Sequence, residues 1–189
     1  MSAEQLGPEA FATPAIVLSG IMDYAMYGFF RQQLTTAPFE GPVVIELSTL
    51  GGDPEVARVM GEDVRSNSDA NPSRRLLFLG KAVVYSAGTT FMSFFAKENR
   101  YLTRGTRLMI HERQMTRTLQ LNGPLTACRT SLQAVVNEIA ASVEIQNENF
   151  ANLIRGSSVS MDDVIARAAT NWYLEANEAC ELGLVERVL

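Results

Sequence analysis

Short runs of β-branched and aliphatic residues alternate along this chain with stretches of helical period. Ala15–Leu18, Val43–Leu47, Leu76–Leu79, Arg107–His111 and Val185–Leu189 read as strands. Between them, Tyr24–Leu34 has helical spacing, and a second helix is announced by Asp53 as N-cap, Pro54 at the first helical position and Glu55 behind it. A third helix is expected from about Ser86 to Ala96. A long fourth, from about Pro124 to Arg155, places Leu132, Val135, Val136, Ile139, Val143, Phe150 and Leu153 on one stripe before Gly156 ends it. Ser160 with Asp163 has the form of a capping box opening a further helix. Strands separated by helices cannot be joined by hairpins, so the alternation implies an α/β fold with a mainly parallel sheet and right-handed crossovers. No repeat, low-complexity tract or long linker interrupts it, so residues 1–189 are expected to form a single domain, with 1–14 as a flexible N-terminal segment.

Charge and residue counts narrow the chemistry. Sixteen basic residues against 21 acidic ones give a net charge of −5, which provides no general attraction to nucleic acid or anionic lipid. The most apolar runs, such as Ala15–Met22, fall far short of the roughly 20 residues that span a bilayer, and Met1–Pro14 does not resemble a signal peptide. Cys128 and Cys180 stand alone in helix-like patterns, so neither disulfides nor zinc are implied, and a cytoplasmic location is expected. The chain has a single histidine, His111, which excludes a multi-histidine metal site within one chain. Arg100, Arg104, Arg107, Arg113 and Arg117 cluster around it in sequence and are read as surface or subunit-interface ion-pairing residues, and Trp172 is read as packing.

Three segments could carry catalysis. Val83–Thr89 passes from a β-branched run into a helix-like stretch, so Ser86 falls at a strand-to-helix turn, where a hydroxyl is exposed and the Ala87 amide points at whatever it attacks. A capping serine is the alternative. Gly51-Gly52 follows a strand and opens a helix, allowing backbone close to a ligand or simply a tight turn. His111 ends an apolar strand at the edge where parallel sheets build their sites, or is a core histidine.

In order and spacing these segments resemble the proteolytic subunit of the Clp protease, within the ClpP/crotonase fold. Ile16–Gly20 is similar to that family's first strand and turn, Gly51-Gly52 to its paired glycines, Ser86-Ala87-Gly88 to its nucleophile segment and Met109-Ile110-His111 to its Met-Ile-His. Tyr173–Ala179 and Gly183-Leu184-Val185 resemble its C-terminal motifs. The resemblance implies a spiral of ββα units and a serine peptidase without cofactor or metal. In it Ser86 is the nucleophile, His111 the base, and the amides of Gly51 and Ala87 form the oxyanion hole. It further implies a peptide or unfolded-protein substrate, a homo-oligomeric ring of roughly six or seven subunits, single or stacked, and an AAA+ unfoldase as partner. Two departures stand out. Asn171 occupies the place of the family's third triad residue, an Asp, and is expected to orient the His111 imidazole as part of a Ser-His-Asn variant triad, and Glu112–Leu119 replaces a Gly-rich strand that pairs with substrate. A non-catalytic subunit of the same fold and a crotonase-type acyl-CoA enzyme are the alternatives; a fluorophosphonate probe on Ser86 and binding of a CoA thioester discriminate them.

Overall fold

A computed structural model describes residues 6–189. Seven strands form one sheet: β1 (Ile16–Ser19), β2 (Gly41–Thr49), β3 (Arg74–Tyr85), β4 (Arg100–Leu102), β5 (Arg107–Ile110), β6 (Trp172–Glu175) and β7 (Arg187–Val188). The path runs β1-β2-β3-β4-β7, and β5 pairs with both β3 and β6. Every pairing is parallel except β5 with β6. This is the parallel α/β sheet that the strand–helix alternation implies, with helices as the crossovers. The helices are α1 (Tyr24–Thr36), α2 (Pro54–Ala70), α3 (Ala87–Met92), α4 (Leu125–Ile154), α5 (Met161–Ala168) and α6 (Ala176–Glu181). Asp53 caps α2 by accepting from the amides of Glu55 and Val56, and Ser160 caps α5 through the Asp163 amide. No helix among the described residues is long and apolar enough to cross a membrane.

β2 shows why the strands read as near-continuous apolar runs. Val43, Ile45 and Leu47 are fully buried under the main helical layer, while Val44 is buried on the other face with Leu77, Leu79, Tyr101 and Phe11. Phe11 comes from a 3-10 turn at Pro8–Phe11 and packs on Tyr101 with ring centroids 4.6 Å apart. The 8–11 stretch thus covers the second sheet face, and residues 1–5 of the N-terminal segment expected to be flexible lie outside the described residues.

β3 does two jobs. Its first half pairs with β4 (Phe78↔Arg100) and its last residues pair with β5 (Tyr85↔Met109), the change falling around Ala82, whose φ is +60°. The strand is three times as long as the Leu76–Leu79 core because this switch interrupts its apolar pattern at Gly80–Ala82. β4 and β6 escape a reading by periodicity. β4 has three residues and begins on a charged one, and β6 is a four-residue strand buried only at alternate positions.

Two further expectations are corrected. Arg100 is no surface residue: it is 1% exposed, and its guanidinium donates to the carbonyls of Phe95, Leu153, Leu184, Ser93 and Asn152. Burial pushes its pKa down to about 10, still well above neutral pH, so it stays charged as a hub tying β4 to the end of α4 and to the segment before β7. The stripe on α4 is buried only at its C-terminal end, at Phe150 and Leu153 with Gln146 and Asn149; Leu132, Val136, Ile139 and Val143 each have roughly half their surface in solvent. The first part of α4 carries its apolar stripe away from this chain's own core.

Candidate active site

The pairing of β3 with β5 brings the two reactive residues together. Tyr85 is in register with Met109, and the Ser86 amide donates to the Met109 carbonyl at 2.8 Å, so both strands end side by side at the same edge of the sheet. Ser86 and His111 lie just beyond those ends, and Ser86 Oγ is 2.7 Å from His111 Nε2. The chain between them runs through α3 and β4 before β5 returns alongside β3, and a parallel sheet gathers a site in this way at its C-terminal edge.

Ser86 adopts φ +54°, ψ −116°, a conformation that L side chains rarely take. It occupies the N-cap position of α3 yet makes no capping bond. The hydroxyl is therefore free for His111, and the sharp turn has the geometry of a nucleophile elbow. Holding a non-glycine residue there costs roughly 1–3 kcal/mol, compensated by the strand pairing before it and the packed helix after it. α3 is small-residue-rich at its start because space is short: a Cβ on Gly88 would stand 2.6 Å from the Thr49 side chain.

The diglycine loop lies against Ser86 as its sequence suggests. Gly51 has φ +113°, and a Cβ there would meet the Ser86 Cβ at 2.8 Å, so only glycine fits. The loop is clamped to the turn after β1, where Met22 N–H donates to the Gly51 carbonyl at 3.0 Å and Asp53 N–H to the Met22 carbonyl at 2.8 Å. Its amides are not equivalent. Gly51 N–H donates to Thr49 Oγ1 at 3.0 Å and is engaged. Gly52, not Gly51, lines the cleft with Ser86, Ala87 and His111, and neither the Gly52 nor the Ala87 amide donates to another described residue. The Gly51 amide expected to serve as a donor is thus already engaged by Thr49. The positive φ of Gly51 sets the turn that presents the next amide.

Asn171 makes no hydrogen bond to His111. Extending the β5–β6 register one step beyond Ile110↔Trp172 puts Asn171 opposite His111, on the same face of the sheet. Its backbone turns away at φ +61°, its side chain is exposed, and His111 Nδ1 is buried without a hydrogen-bond partner. The pair Ser86–His111 is assembled and the third position is adjacent but unengaged.

The cleft beside the pair encloses about 240 Å³ and is floored by Asn149, Phe150 and Leu153 of α4, with Thr89 and Thr90 of α3 on one side and Glu112–Gln114 on the other. Sequence reasoning did not single out Gln146 or Arg113 for the site. Gln146 is buried on the helix and its Oε1 accepts from the Arg113 amide at 2.7 Å, fixing the chain just after the histidine. Its position one helical turn before Phe150 was the available signal. Trp172 packs as expected, 7% exposed, with the Arg167 guanidinium 4.9 Å over its ring. Three members of the arginine cluster pair with carboxylates: exposed Arg107 with Glu175 at 2.7 Å, half-buried Arg113 with Glu55, and exposed Arg117 with Glu138.

No protein-family model matches the chain, and no curated protein matches its sequence. Among solved structures, it is similar to an asparagine-to-aspartate mutant of ClpP1 from Listeria monocytogenes, with a TM-score of 0.71 and 20% identity over 92% of this chain and 90% of that one. Such a match over nearly the whole of both chains, at an identity this low, is a likeness of fold. The chain therefore has the mixed α/β fold of ClpP, with Ser86 and His111 joined at the edge of its sheet.

Proposed function

We propose that this chain is a ClpP-like serine peptidase that hydrolyses peptides or unfolded protein chains inside a homo-oligomeric ring. The observation that carries the reading is the 2.7 Å contact of Ser86 Oγ with His111 Nε2 on a strained turn facing a cleft. Ser86 Oγ attacks the scissile carbonyl carbon as its proton passes to Nε2. The amides of Gly52 and Ala87 receive the developing oxyanion, and Nε2 returns the proton to the leaving amine. Water then attacks the acyl-enzyme, losing a proton to His111 Nε2, which passes it to Ser86 Oγ as the acyl bond breaks and the acid product leaves. For this to run, Nε2 accepts and Nδ1 carries the hydrogen. Asn171 is the residue placed to hold that tautomer, by turning its amide oxygen toward Nδ1 from the neighbouring strand.

Assembly is supported by apolar surface that this copy leaves in solvent. Leu132, Val136, Ile139 and Val143 on α4, with Ile21, Tyr24 and Phe29 near α1, are each between about 45% and 71% exposed. Met92 and Phe95, by contrast, belong to the core. An AAA+ unfoldase is the partner that would deliver folded substrates to such a ring.

The test is hydrolysis of fluorogenic peptides by the wild-type assembly and by Ser86→Ala. We expect cleavage to vanish in the variant while particle mass is unchanged. Residual cleavage near the wild-type rate rejects the assignment. A second reading, a non-catalytic subunit, is favoured by the unpartnered His111 Nδ1; it predicts no turnover in either protein.

A further inference from the structure

Arg113 stands beside the Ser86–His111 pair with part of its hydrogen-bonding capacity unused. It is the one lysine or arginine among the described residues lining the cleft. It is held from two sides: its amide by the buried Gln146 at 2.7 Å, and its Nη2 by Glu55 at the start of α2. Nη1 is buried and donates to no other described residue. A buried N–H on a cation without an acceptor costs free energy, and such a group in a folded protein calls for an explanation.

The local charge balance fits an incoming anion. Glu55 accepts from Arg58 at 2.7 Å as well as from Arg113, so one carboxylate is shared by two guanidiniums. Burial pushes the Glu55 pKa up, but the two arginines outweigh it and hold the carboxyl below its usual range, so Glu55 is already committed as an anion. Glu112 also lines the cleft, but its side chain is exposed. The other polar side chains at hand, Thr89, Thr90 and Asn149, are uncharged, and the space of about 240 Å³ admits one medium side chain. A guanidinium presents parallel N–H groups that match the two oxygens of a carboxylate.

We propose that Arg113, the one cation among the described residues lining the cleft and a guanidinium with an unsatisfied Nη1, is a specificity-determining residue that turns to receive a substrate carboxylate, selecting an aspartyl or glutamyl side chain in the cleft beside the bond that Ser86 attacks. The inference rests on the peptidase reading of the site, and its test is a binding measurement that needs no turnover. Calorimetry on the intact assembly of the Ser86→Ala protein compares N-acetylated peptide amides ending in Glu, Gln or Leu, together with the Leu peptide as a free acid. The Glu amide is expected to bind at least roughly tenfold more tightly than its Gln isostere, about 1.4 kcal/mol. In Arg113→Gln that ratio is expected to fall to within about twofold, and in Arg113→Lys, which keeps the charge and loses the fork, to lie between. Equal binding of Glu and Gln peptides, or a Glu preference that survives Arg113→Gln, overturns the proposal. A free-acid Leu peptide that binds as tightly as the Glu amide assigns the contact to a chain terminus and overturns the side-chain selection. A wild-type assembly that cleaves no peptide while the Glu preference is intact counts against the peptidase reading and not against the role of Arg113.

Discussion

Replacing Asn171 with Asp is expected to raise turnover on short peptides by about tenfold. During acylation His111 becomes an imidazolium whose Nδ1–H is buried and has no acceptor in the resting structure. Asn171 lies one step beyond the Ile110↔Trp172 pair, opposite His111. Asp tolerates the left-handed φ of +61° there about as well as Asn does, so the substitution adds charge with little added strain. Two unit charges about 4 Å apart at an effective dielectric of about 20 attract by roughly 4 kcal/mol. Position 171 is exposed, and solvent screening cuts this to about 1.4 kcal/mol, a factor of ten in kcat. The effect belongs in kcat more than in KM, because the positive charge exists in the transition state and not in the free enzyme. The assay is steady-state cleavage of a fluorogenic peptide by wild type and Asn171→Asp at matched particle mass. Unchanged or lower turnover with an intact assembly refutes the reasoning, since it means that a carboxylate opposite His111 does not stabilise its cation.

Other consequences follow from the packing. Arg100→Met is expected to lower the unfolding free energy by at least roughly 3 kcal/mol in chemical denaturation, because five carbonyls, four of them in buried hydrogen bonds, lose their donor at once; a loss under about 1 kcal/mol contradicts the hub role. Ile139→Glu, at an apolar position of α4 that is 47% exposed, is expected to lower particle mass in light scattering without changing the helical content of the protein; unchanged mass means that this face is not an interface. Glu55 has a folded pKa lowered by Arg113 and Arg58 despite burial, so its contribution to stability is present above the unfolded value of about 4.3 and is lost as pH falls through the folded value. Glu55→Gln is therefore expected to flatten the acid limb of a stability–pH curve below about pH 4, and an unaltered limb contradicts the pairing.

What the amino-acid pattern reveals and conceals divides along physical lines. Ser86 and His111 are legible because a parallel sheet delivers residues at strand ends to one edge, and the polar ends of β3 and β5 are both readable from the apolar runs before them. The choice between Gly51 and Gly52 is not legible, because it depends on the Thr49 hydroxyl capturing one amide, a tertiary contact that two identical glycines do not announce. Arg100 misleads for a related reason: its charge is satisfied by carbonyls, which carry no sequence signature, so it reads as surface while sitting in the core. α4 misleads the other way. Its stripe is a sound sign of burial, but the described residues leave Val136 and Ile139 about half exposed, and periodicity does not say whose core a stripe joins. Asn171 is legible as a position and illegible as a contact, since backbone register brings it alongside His111 while its own dihedrals turn it outward.

The central claim, that Ser86 is a nucleophile activated by His111, is tested most directly by the rate at which a fluorophosphonate modifies the intact assembly, followed by intact-protein and peptide mass spectrometry. The account predicts one adduct per chain, mapped to Ser86, absent in Ser86→Ala and formed at least roughly a hundredfold more slowly in His111→Gln, the scale of general-base assistance. An unmodified protein, an adduct on another residue, or labelling of Ser86 that is indifferent to His111→Gln would contradict it.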